Sequence, residues 1–251
     1  MLAIAHRGYS AAYPENTLPA FAQALAVGAA LVETDLRLTA DGAVVCSHDP
    51  TLERLAGRPD AIAALTAAEL ARVALPAGGA VPALEGVLRL VAARPGARIL
   101  LDVKEDGEPM RAAVLTLLAA TGMEGRCVYG VRDPARLAAL RRAAPALPVL
   151  ALGRGDAALE TFLAAGVQAA RLWEEEATPE RVARVRAVPG TAVWVTAGLR
   201  SRGEPPGFIT PERVARLRAL GVDAVLLNDP TLVTGAPGHR PPAPAPEELR
   251  R

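Results

Sequence analysis

Two histidines end short apolar runs near the start of this sequence. His6 ends "LAIAH" (2–6) and His48 ends "AVVCSH" (43–48), whereas the third histidine of the chain, His239, lies in a proline-rich stretch. A single imidazole is more often a structural residue, but a pair can act as general base and general acid near neutral pH. Because carboxylates and a lysine occur at comparable positions, the pair predicts acid–base chemistry.

Acidic residues inside apolar runs form the second candidate group. Glu33 and Asp35 lie two residues apart in "LVETDLR" (31–37), and Asp102 lies in "RILLDVK" (98–104). On a strand this spacing places both carboxylates on one face. Converging carboxylates are hard oxygen ligands that suit Ca²⁺ or Mg²⁺, and two histidines are too few for the usual zinc hydrolase sites. The alternative is that Glu33 and Asp35 point outward and pair with arginines on helices.

Lys104 is the third candidate, because it is the only lysine in a chain with 28 basic residues. It lies two residues after Asp102, at the end of a predicted strand. A compact ammonium at this position suits a phosphate oxygen or developing negative charge. The alternative is a lysine at the rim whose ammonium lies in water.

These residues need elements that bring strand ends together. Short apolar runs alternate with amphipathic segments of helical length, which is typical of βα units and a parallel sheet. The pattern predicts an α/β fold, a (β/α)8 TIM barrel with one extra hairpin strand, in which catalysis takes place at the carboxyl ends of the strands. The predicted strands are 2–6, 31–37, 43–48, 98–104, 126–131, 148–152, 167–173, 191–196 and 223–229. The predicted helices include 17–27, 66–74, 84–93, 109–121, 134–143, 156–165, 178–188 and 210–220.

Some stretches depart from this alternation. The Asp-Gly turn signal in "TADG" (39–42) predicts that 31–48 forms a hairpin. Residues 49–83 are predicted to be a small insertion over one barrel end, after the second strand. Residues 1–234 would then form a single catalytic domain, and the proline-rich residues 235–251 predict a disordered tail.

Composition narrows the possible functions. The chain has 251 residues, 51% of them hydrophobic, and a net charge of +1, which disfavours a nucleic-acid groove or a polybasic membrane anchor. We expect no stable membrane insertion, because no apolar run is long enough, and the first residues lack a signal-peptide pattern. These features predict a cytoplasmic protein. Cys46 and Cys127 lie in separate apolar stretches, which predicts buried free thiols.

The ordered motifs resemble the glycerophosphodiester phosphodiesterase family over most of the chain. The resemblance implies a (β/α)8 barrel, which agrees with the alternation of strands and helices. It is specific because the N-terminal block is long and the later motifs follow in the family's order. The motifs are "AHRG" (5–8), "PENT" (14–17), "ETDLRLTADG" (33–42), "SHDPTLER" (47–54), "LLDVK" (100–104) and "GVDAVLLNDP" (221–230).

The resemblance also implies a metal-dependent mechanism. His6 and His48 would be the acid–base pair of a reaction that hydrolyses glycerophosphodiesters to glycerol 3-phosphate and an alcohol. Glu33, Asp35 and Asp102 would hold one divalent cation, Ca²⁺ or Mg²⁺. The metal would offset charge on the phosphate in the transition state, while the histidines move the protons.

Further residues would contact the substrate by the same resemblance. Arg7 and Lys104 would contact the phosphate. Glu15 would line the glycerol side, although it could instead fix the loop before the first helix. Trp194 would form a wall on the alcohol side, with core packing as the alternative.

The sequence departs from the family pattern at three places. Asp102 stands where the family usually has glutamate, so its shorter side chain could change the metal site. The segment 194–208 keeps Trp194 but lacks the family's asparagine, and Asn228 with Asp229 replaces Thr-Asp. Two alternative functions therefore stay open, a lysophospholipase D type activity on lysophospholipids and a catalytically weak protein that binds phosphate ligands.

Overall fold

The computed structural model describes residues 1–76, 78–105 and 107–237. Nine strands in these residues form one sheet. All nine lie where the sequence predicts strands. They are β1 (Leu2–Ala5), β2 (Leu31–Leu38), β3 (Val44–Cys46), β4 (Arg98–Val103), β5 (Cys127–Val131), β6 (Val149–Ala151), β7 (Ala169–Trp173), β8 (Ala192–Thr196) and β9 (Ala224–Leu227).

The sheet closes into a barrel of eight parallel strands, so the predicted (β/α)8 fold is confirmed. Its order is β1-β9-β8-β7-β6-β5-β4-β2, and β1 closes the circle by pairing with β2. The short strand β3 lies outside this circle and pairs antiparallel with β2, which confirms the predicted hairpin. All eight barrel strands therefore end at the same face, where the candidate residues were expected to meet.

Helices connect most of the strands and cover the outside of the barrel. They bury one apolar stripe against the strands, as the core residues Val87, Leu88 and Val91 of one helix do. The helices are α1 (Leu18–Ala26), α2 (Glu53–Ala56), α3 (Ala67–Leu70), α4 (Leu84–Ala92), α5 (Glu108–Thr121), α6 (Pro134–Ala143), α7 (Asp156–Ala164), α8 (Pro179–Arg186), α9 (Pro211–Ala219) and α10 (Thr231–Thr234).

The predicted helix 66–74 is wrong in its length, because α3 ends at Leu70. Its start is well defined, since Thr66 and Glu69 form a reciprocal capping box. Two later features end it. Leu75 precedes a proline, which disfavours helical backbone, and Val73 turns into a separate apolar cluster, where it is 5% exposed.

That cluster belongs to the segment between β3 and α4, which does not follow the βα alternation. It has its own apolar core, so the segment packs as a unit beside the barrel rather than as a loose loop. The division into one catalytic domain (1–234) with an insertion (49–83) stays a prediction. Most of the predicted tail (235–251) lies outside the described residues, which end at 237. Within the described part of the chain, seven buried residues form this apolar cluster, one from β3 and six from the segment that follows it: Val45, Leu52, Ile62, Leu70, Val73, Leu75 and Val81.

Two further sequence expectations concern cysteines and membranes. Cys46 and Cys127 are buried free thiols, as predicted, and burial raises the pKa of Cys46 to about 12. Both thiols therefore stay protonated at neutral pH and act as small apolar side chains. Over the part of the chain that the structure describes, no helix is both long and apolar enough to cross a bilayer.

Candidate active site

A cavity of about 330 Å³ lies at the carboxyl ends of the barrel strands. Its lining includes both candidate histidines and all three candidate carboxylates, together with Arg7 and Lys104. Register explains part of this convergence. β2 and β4 are neighbouring parallel strands, and Asp35 pairs with Asp102 across them. Two carboxylates that are 67 positions apart in the chain therefore point into the same cavity.

The three carboxylates form a compact acidic cluster. One oxygen each from Glu33, Asp35 and Asp102 lies within 4.8 Å of the others. Burial, Asp35 and Asp102 raise the pKa of Glu33 well above its ordinary value. Burial alone would also raise the pKa of Asp35, but Lys104 and Arg7 lower it below its ordinary value. The cluster is thus crowded with negative charge.

Lys104 bridges two members of this acidic cluster. Its Nζ lies 2.7 Å from Asp35 Oδ1 and 2.7 Å from Asp102 Oδ2. Burial would lower the pKa of Lys104, but the charges of Asp102 and Asp35 raise it above its ordinary value. The ammonium is therefore charged at neutral pH and held at the centre of the site.

Arg7 reaches the same cluster from β1 by both its backbone and its side chain. Its amide donates to Glu33 Oε2 at 2.8 Å, and its Nε lies 3.0 Å from Asp35 Oδ2. Arg7 has a φ of 56°, which lies in the left-handed region that non-glycine residues seldom adopt. Such strain persists only where the surroundings fix the backbone, as these contacts do.

Asn16 is a second left-handed residue, with a φ of 55°. Its backbone amide donates to Arg7 O at 2.9 Å, and its side-chain amide donates to Asp35 Oδ2 at 3.0 Å. Its Oδ1 accepts from the Thr34 hydroxyl at 2.9 Å. Asn16 therefore orients Asp35 within the cluster. Asn16 belongs to the motif "PENT", but nothing in the sequence alone indicated this role.

His6 lies at the end of β1 and is 8% exposed. Its Nδ1 is 2.7 Å from Asn228 Oδ1, while Asn228 Nδ2 donates to Pro206 O at 3.2 Å. Because the amide nitrogen of Asn228 is used elsewhere, its oxygen faces His6, so Nδ1 carries the proton and Nε2 can accept one. Burial and the charge of Arg7 lower the pKa of His6 to about 4. His6 is therefore neutral near pH 7.

His48 also lines the cavity and is more open than His6, with 39% of its side chain exposed. Its Nδ1 lies 2.7 Å from Asp49 Oδ1, and Asp49 Oδ2 accepts from Arg54 Nε at 2.5 Å. Arg37 donates to the His48 carbonyl at 3.0 and 2.6 Å. The carboxylate accepts from a proton on Nδ1 and so orients the ring. Asp49, the residue next in the chain, therefore holds the imidazole of His48.

Glu15 lies beside the cavity, although it is not one of its lining residues. It accepts from Arg7 Nη1 at 3.0 Å and from Arg54 at 2.6 and 3.0 Å. Burial would raise the pKa of Glu15, but Arg54 and Arg7 lower it below its ordinary value. Glu15 thus pairs with both Arg7, which contacts the acidic cluster, and Arg54, which contacts Asp49. A role on the glycerol side stays a prediction.

Trp194 lines the cavity from β8 and is 6% exposed. It also packs in the apolar cluster inside the barrel with Ile4, Leu100 and Leu150. The two sequence readings, a substrate wall and a core residue, are therefore compatible. A role in binding the alcohol stays a prediction.

Sequence reasoning missed several residues that line or support the cavity. Asn228 was noted only as a departure from the family pattern, yet it fixes the tautomer of His6. Arg171 and Trp173 lie two residues apart in β7. Like Glu33 and Asp35, they have the spacing that places two side chains on one face of a strand, so this signal could have found them. Three more arginines come after other strands. Because they lie outside the strands, neither burial within a strand nor a two-residue spacing distinguishes them from surface arginines. They are Arg132, Arg154 and Arg200.

The donor set of the acidic cluster fits a hard divalent cation. Three carboxylates supply oxygen ligands of the type that Ca²⁺ and Mg²⁺ prefer, and their oxygens lie close enough to share one ion. The pKa of Glu33 is raised by the same crowding of negative charge. A cation bound nearby would stabilise the charged form of Glu33. The shorter Asp102 still reaches the cluster.

A parallel barrel with histidines, carboxylates, a lysine and an arginine at its strand ends defines a class, the barrel hydrolases of phosphate esters. The sequence profile of the Glycerophosphoryl diester phosphodiesterase family matches residues 6–232. The chain belongs to this family, as the sequence resemblance implied, and is a phosphodiester hydrolase.

Individual relatives agree with this family membership. The Probable glycerophosphodiester phosphodiesterase 1 of Mycobacterium tuberculosis (strain ATCC 25618 / H37Rv) is 33% identical over 190 residues, which cover 66% of this chain and 69% of the relative. A glycerophosphodiester phosphodiesterase from Thermotoga maritima superposes with a TM-score of 0.73 at 25% identity, over 94% of this chain and 97% of that one.

A third comparison, at lower identity, supports the fold. A phosphodiesterase from Oleispira antarctica, solved in complex with the product sn-glycerol-3-phosphate, has a TM-score of 0.79 at 22% identity. The match covers 94% of this chain and 96% of that protein. The likeness extends over nearly the whole of both chains, so the barrel described above is the shared fold.

Proposed function

We propose that this enzyme hydrolyses glycerophosphodiesters to glycerol 3-phosphate and an alcohol, with a divalent cation and a histidine pair. The observation that carries the proposal is one cavity lined by His6, His48, Lys104 and the acidic cluster. The product bound to the Oleispira relative supports the choice of the glycerol side.

The two histidines differ in surroundings, which supports different roles. His6 is neutral near pH 7 and presents Nε2, so it suits the general base that activates a water or a substrate hydroxyl. The Asp49 carboxylate orients the His48 ring through Nδ1 and leaves Nε2 for proton transfer, so His48 suits the general acid that protonates the departing alcohol. A proton accepted at one histidine and donated by the other balances the hydrolysis.

Two cationic side chains are placed to bind the phosphate. Arg7 and Lys104 hold their charge beside the acidic cluster, in a partly buried site where electrostatic interactions are stronger than in water. An ammonium has three donors, of which Asp35 and Asp102 take two. The remaining donor can reach a phosphate oxygen.

Glu33, Asp35 and Asp102 would hold the cation, which when bound would offset negative charge on the phosphate. We expect glycerol 3-phosphate release from glycerophosphocholine to be abolished by EDTA and restored by Ca²⁺ or Mg²⁺. Activity that persists fully in EDTA would contradict the metal requirement. No release with any metal would favour longer lysophospholipids first, and then a protein that only binds phosphate ligands.

Asp102→Glu tests the acidic cluster directly, by calorimetric titration with Ca²⁺ and Mg²⁺. The added methylene extends the carboxylate toward the other two ligands, so we expect metal affinity to be kept or increased. The control is Asp60→Glu, a change at a partly exposed position outside the cavity that should leave metal affinity unaltered. Abolished binding in Asp102→Glu would show that this site requires aspartate.

One observation favours the lysophospholipase D alternative. Phe208 is 46% exposed in the loop after β8, next to the Gly207 that covers His6. An exposed aromatic ring there could contact an acyl chain. Turnover that rises with acyl chain length, and falls again in Phe208→Ser, would support this second function.

A further inference from the structure

Four further arginines line the cavity, and one of them, Arg132, also pairs with Asp102 of the acidic cluster. Arg132 follows β5, Arg154 follows β6, Arg171 lies in β7, and Arg200 lies in a short turn after β8. Together with Trp173 we call them the arginine subsite. They come from four successive strands, so the closed barrel alone brings them together.

Arg171 is the buried member of this subsite, with 7% exposure. Its Nη2 donates to Leu152 O at 2.8 Å, but its Nε and Nη1 are buried without a hydrogen-bond partner among the described residues. The Nε1 of Trp173 is also buried and has no hydrogen-bond partner among those residues. Burying three donors without an acceptor costs free energy of folding. Because all three are N–H groups, they point to an acceptor that binds beside them.

Trp173 lies between two guanidinium groups. The Cζ of Arg171 is 4.3 Å from its ring centroid, and the Cζ of Arg200 is 4.8 Å from it. Burial lowers the pKa of Arg171 to about 10, with smaller contributions from the charges of Arg132 and Arg154. Arg171 still carries its charge at neutral pH, so the aromatic ring helps to hold cations that otherwise repel each other.

The cavity has more positive than negative charge. Six lysine or arginine side chains line it, against three carboxylates. A phosphodiester brings a single negative charge, and a divalent cation on the acidic cluster would increase the surplus. Among the lining residues, the counter-charge of the arginine subsite is Asp102, which is already paired with Arg132 and Lys104. Outside the lining, Glu176 adds negative charge near Arg171 but is itself paired with Arg181.

We propose that the arginine subsite binds a second anionic group, carried by the alcohol portion of the substrate. The inference rests on the proposed function, because it names the class of glycerophosphodiester that this cavity accepts. Guanidinium groups bind the oxygens of a phosphate monoester or a carboxylate with paired N–H donors. Such a group would supply the acceptors that Arg171 and Trp173 lack. A cationic alcohol such as choline lacks these oxygens, so its diester would still be hydrolysed but with a lower kcat/KM than a diester of an anionic alcohol.

The test compares diesters that differ only at the alcohol. They are glycerophosphoglycerol, its terminal phosphate monoester, the corresponding diester of glycerate, and glycerophosphocholine. We expect kcat/KM to be higher by roughly tenfold or more with an anionic alcohol, the size expected for added charge-assisted hydrogen bonds. The phosphate and carboxylate substrates distinguish the two sources of charge. Equal kcat/KM for neutral and anionic alcohols would overturn the inference while leaving the proposed hydrolysis intact.

Arg171→Met tests the subsite from the protein side. We expect the ratio of kcat/KM for anionic over neutral alcohols to fall close to one. The melting temperature should stay equal or rise, because the substitution removes a buried charge with unpaired donors. A merely structural arginine would instead lower the melting temperature and leave the preference unchanged, which would contradict the inference.

A matched pair in one turn keeps the test independent of Arg171. Arg200 and Arg202 are both exposed members of residues 200–202, but only Arg200 lines the cavity. Arg200→Ser should reduce the preference for anionic alcohols, and Arg202→Ser should leave it at the wild-type value. Equal behaviour of the two variants would count against the subsite.

A binding measurement separates this inference from a failure of the proposed function. Both tryptophans of the chain, Trp173 and Trp194, line the cavity, so their fluorescence can report titration with inorganic phosphate. We expect weaker phosphate binding in Arg171→Met than in the wild type, even if no diester is hydrolysed. Unchanged phosphate affinity in that variant would overturn the subsite.

Discussion

At the scale of single residues, the site depends on charges that are buried with specific partners. Lys104 is 15% exposed in its side chain and bridges Asp35 and Asp102. A chain that otherwise uses arginine has kept its lysine where the space between two carboxylates suits a compact ammonium. A planar guanidinium needs a different arrangement of acceptors.

Lys104→Arg should therefore lose most activity while the fold survives. We expect kcat/KM to fall by about a hundredfold, the usual effect of displacing one group that stabilises transition-state charge. The comparison is Arg89→Lys on α4, an exposed exchange of the same two residue types, which should leave turnover unchanged. Near-normal kcat/KM in Lys104→Arg would refute the role given to the lysine.

His6 gives a prediction about pH and stability. Its pKa is about 4 in the folded chain, below the ordinary 6.5 expected after unfolding, so protonation favours the unfolded state. Its contribution is therefore destabilising as pH falls from 6.5 toward 4, by up to about 1.4 kcal/mol per pH unit and about 3 kcal/mol in total. His6→Asn removes this dependence. Urea unfolding of both proteins in EDTA at several pH values checks it, and parallel curves would contradict it.

At the scale of elements, the loop after β8 closes over the buried histidine. Gly207 donates to Ala197 O at 2.8 Å and accepts from Asn228 N at 2.8 Å, so the loop joins the ends of β8 and β9. A Cβ on Gly207 would lie 2.1 Å from Asn228 Oδ1 and 2.8 Å from His6 Nδ1. Glycine is therefore required here both by space and by its φ of 86°.

Gly207→Ala should disturb the contact between His6 and Asn228. We expect kcat/KM to fall by at least about tenfold, because His6, which we propose as the general base, would lose its orientation. Gly203→Ala in the same loop is the matched control, since its φ is 71° but a Cβ there meets nothing within 4 Å. Both changes add left-handed strain of about 1–2 kcal/mol. Equal losses of activity in the two variants would assign the effect to strain alone.

At the scale of the whole molecule, a buried ion pair joins the last third of the barrel. Glu174 follows β7 and is 1% exposed. It accepts from Arg213 of α9 at 2.6 Å by two nitrogens, and from the amide of Gly198 after β8 at 2.9 Å. One carboxylate thus connects three successive parts of the chain on the face that carries the site.

Glu174→Ala should lower the free energy of unfolding by roughly 3 kcal/mol, because Arg213 would lose its buried partner. Glu175→Ala is the matched neighbour, since Glu175 is exposed and accepts from the Ser201 amide at 3.0 Å. Its loss should cost about 0.5 kcal/mol, as for most surface changes. Urea unfolding measures both values. Similar losses in the two variants would contradict the structural role of the pair.

Much of the fold could be predicted because the evidence for it is local. Buried strands read as short apolar runs, and the Asp-Gly turn identified the hairpin between β2 and β3. The end of α3 was missed because a proline and a separate apolar cluster together overrode its helical pattern. Sequence also gave the residues of the acidic cluster, since a charge inside a buried strand requires a reason.

The sequence by itself therefore determined the element types, the barrel and the residues that could do chemistry, because these depend on periodicity and on residue type. The tertiary structure alone decided their partners. Strand register set Asp35 opposite Asp102, and the loop after β8 covered His6. Barrel closure brought four arginines from separate strand ends to the cavity. Contacts of this kind depend on distances between segments far apart in the chain, and local patterns carry no information about those distances.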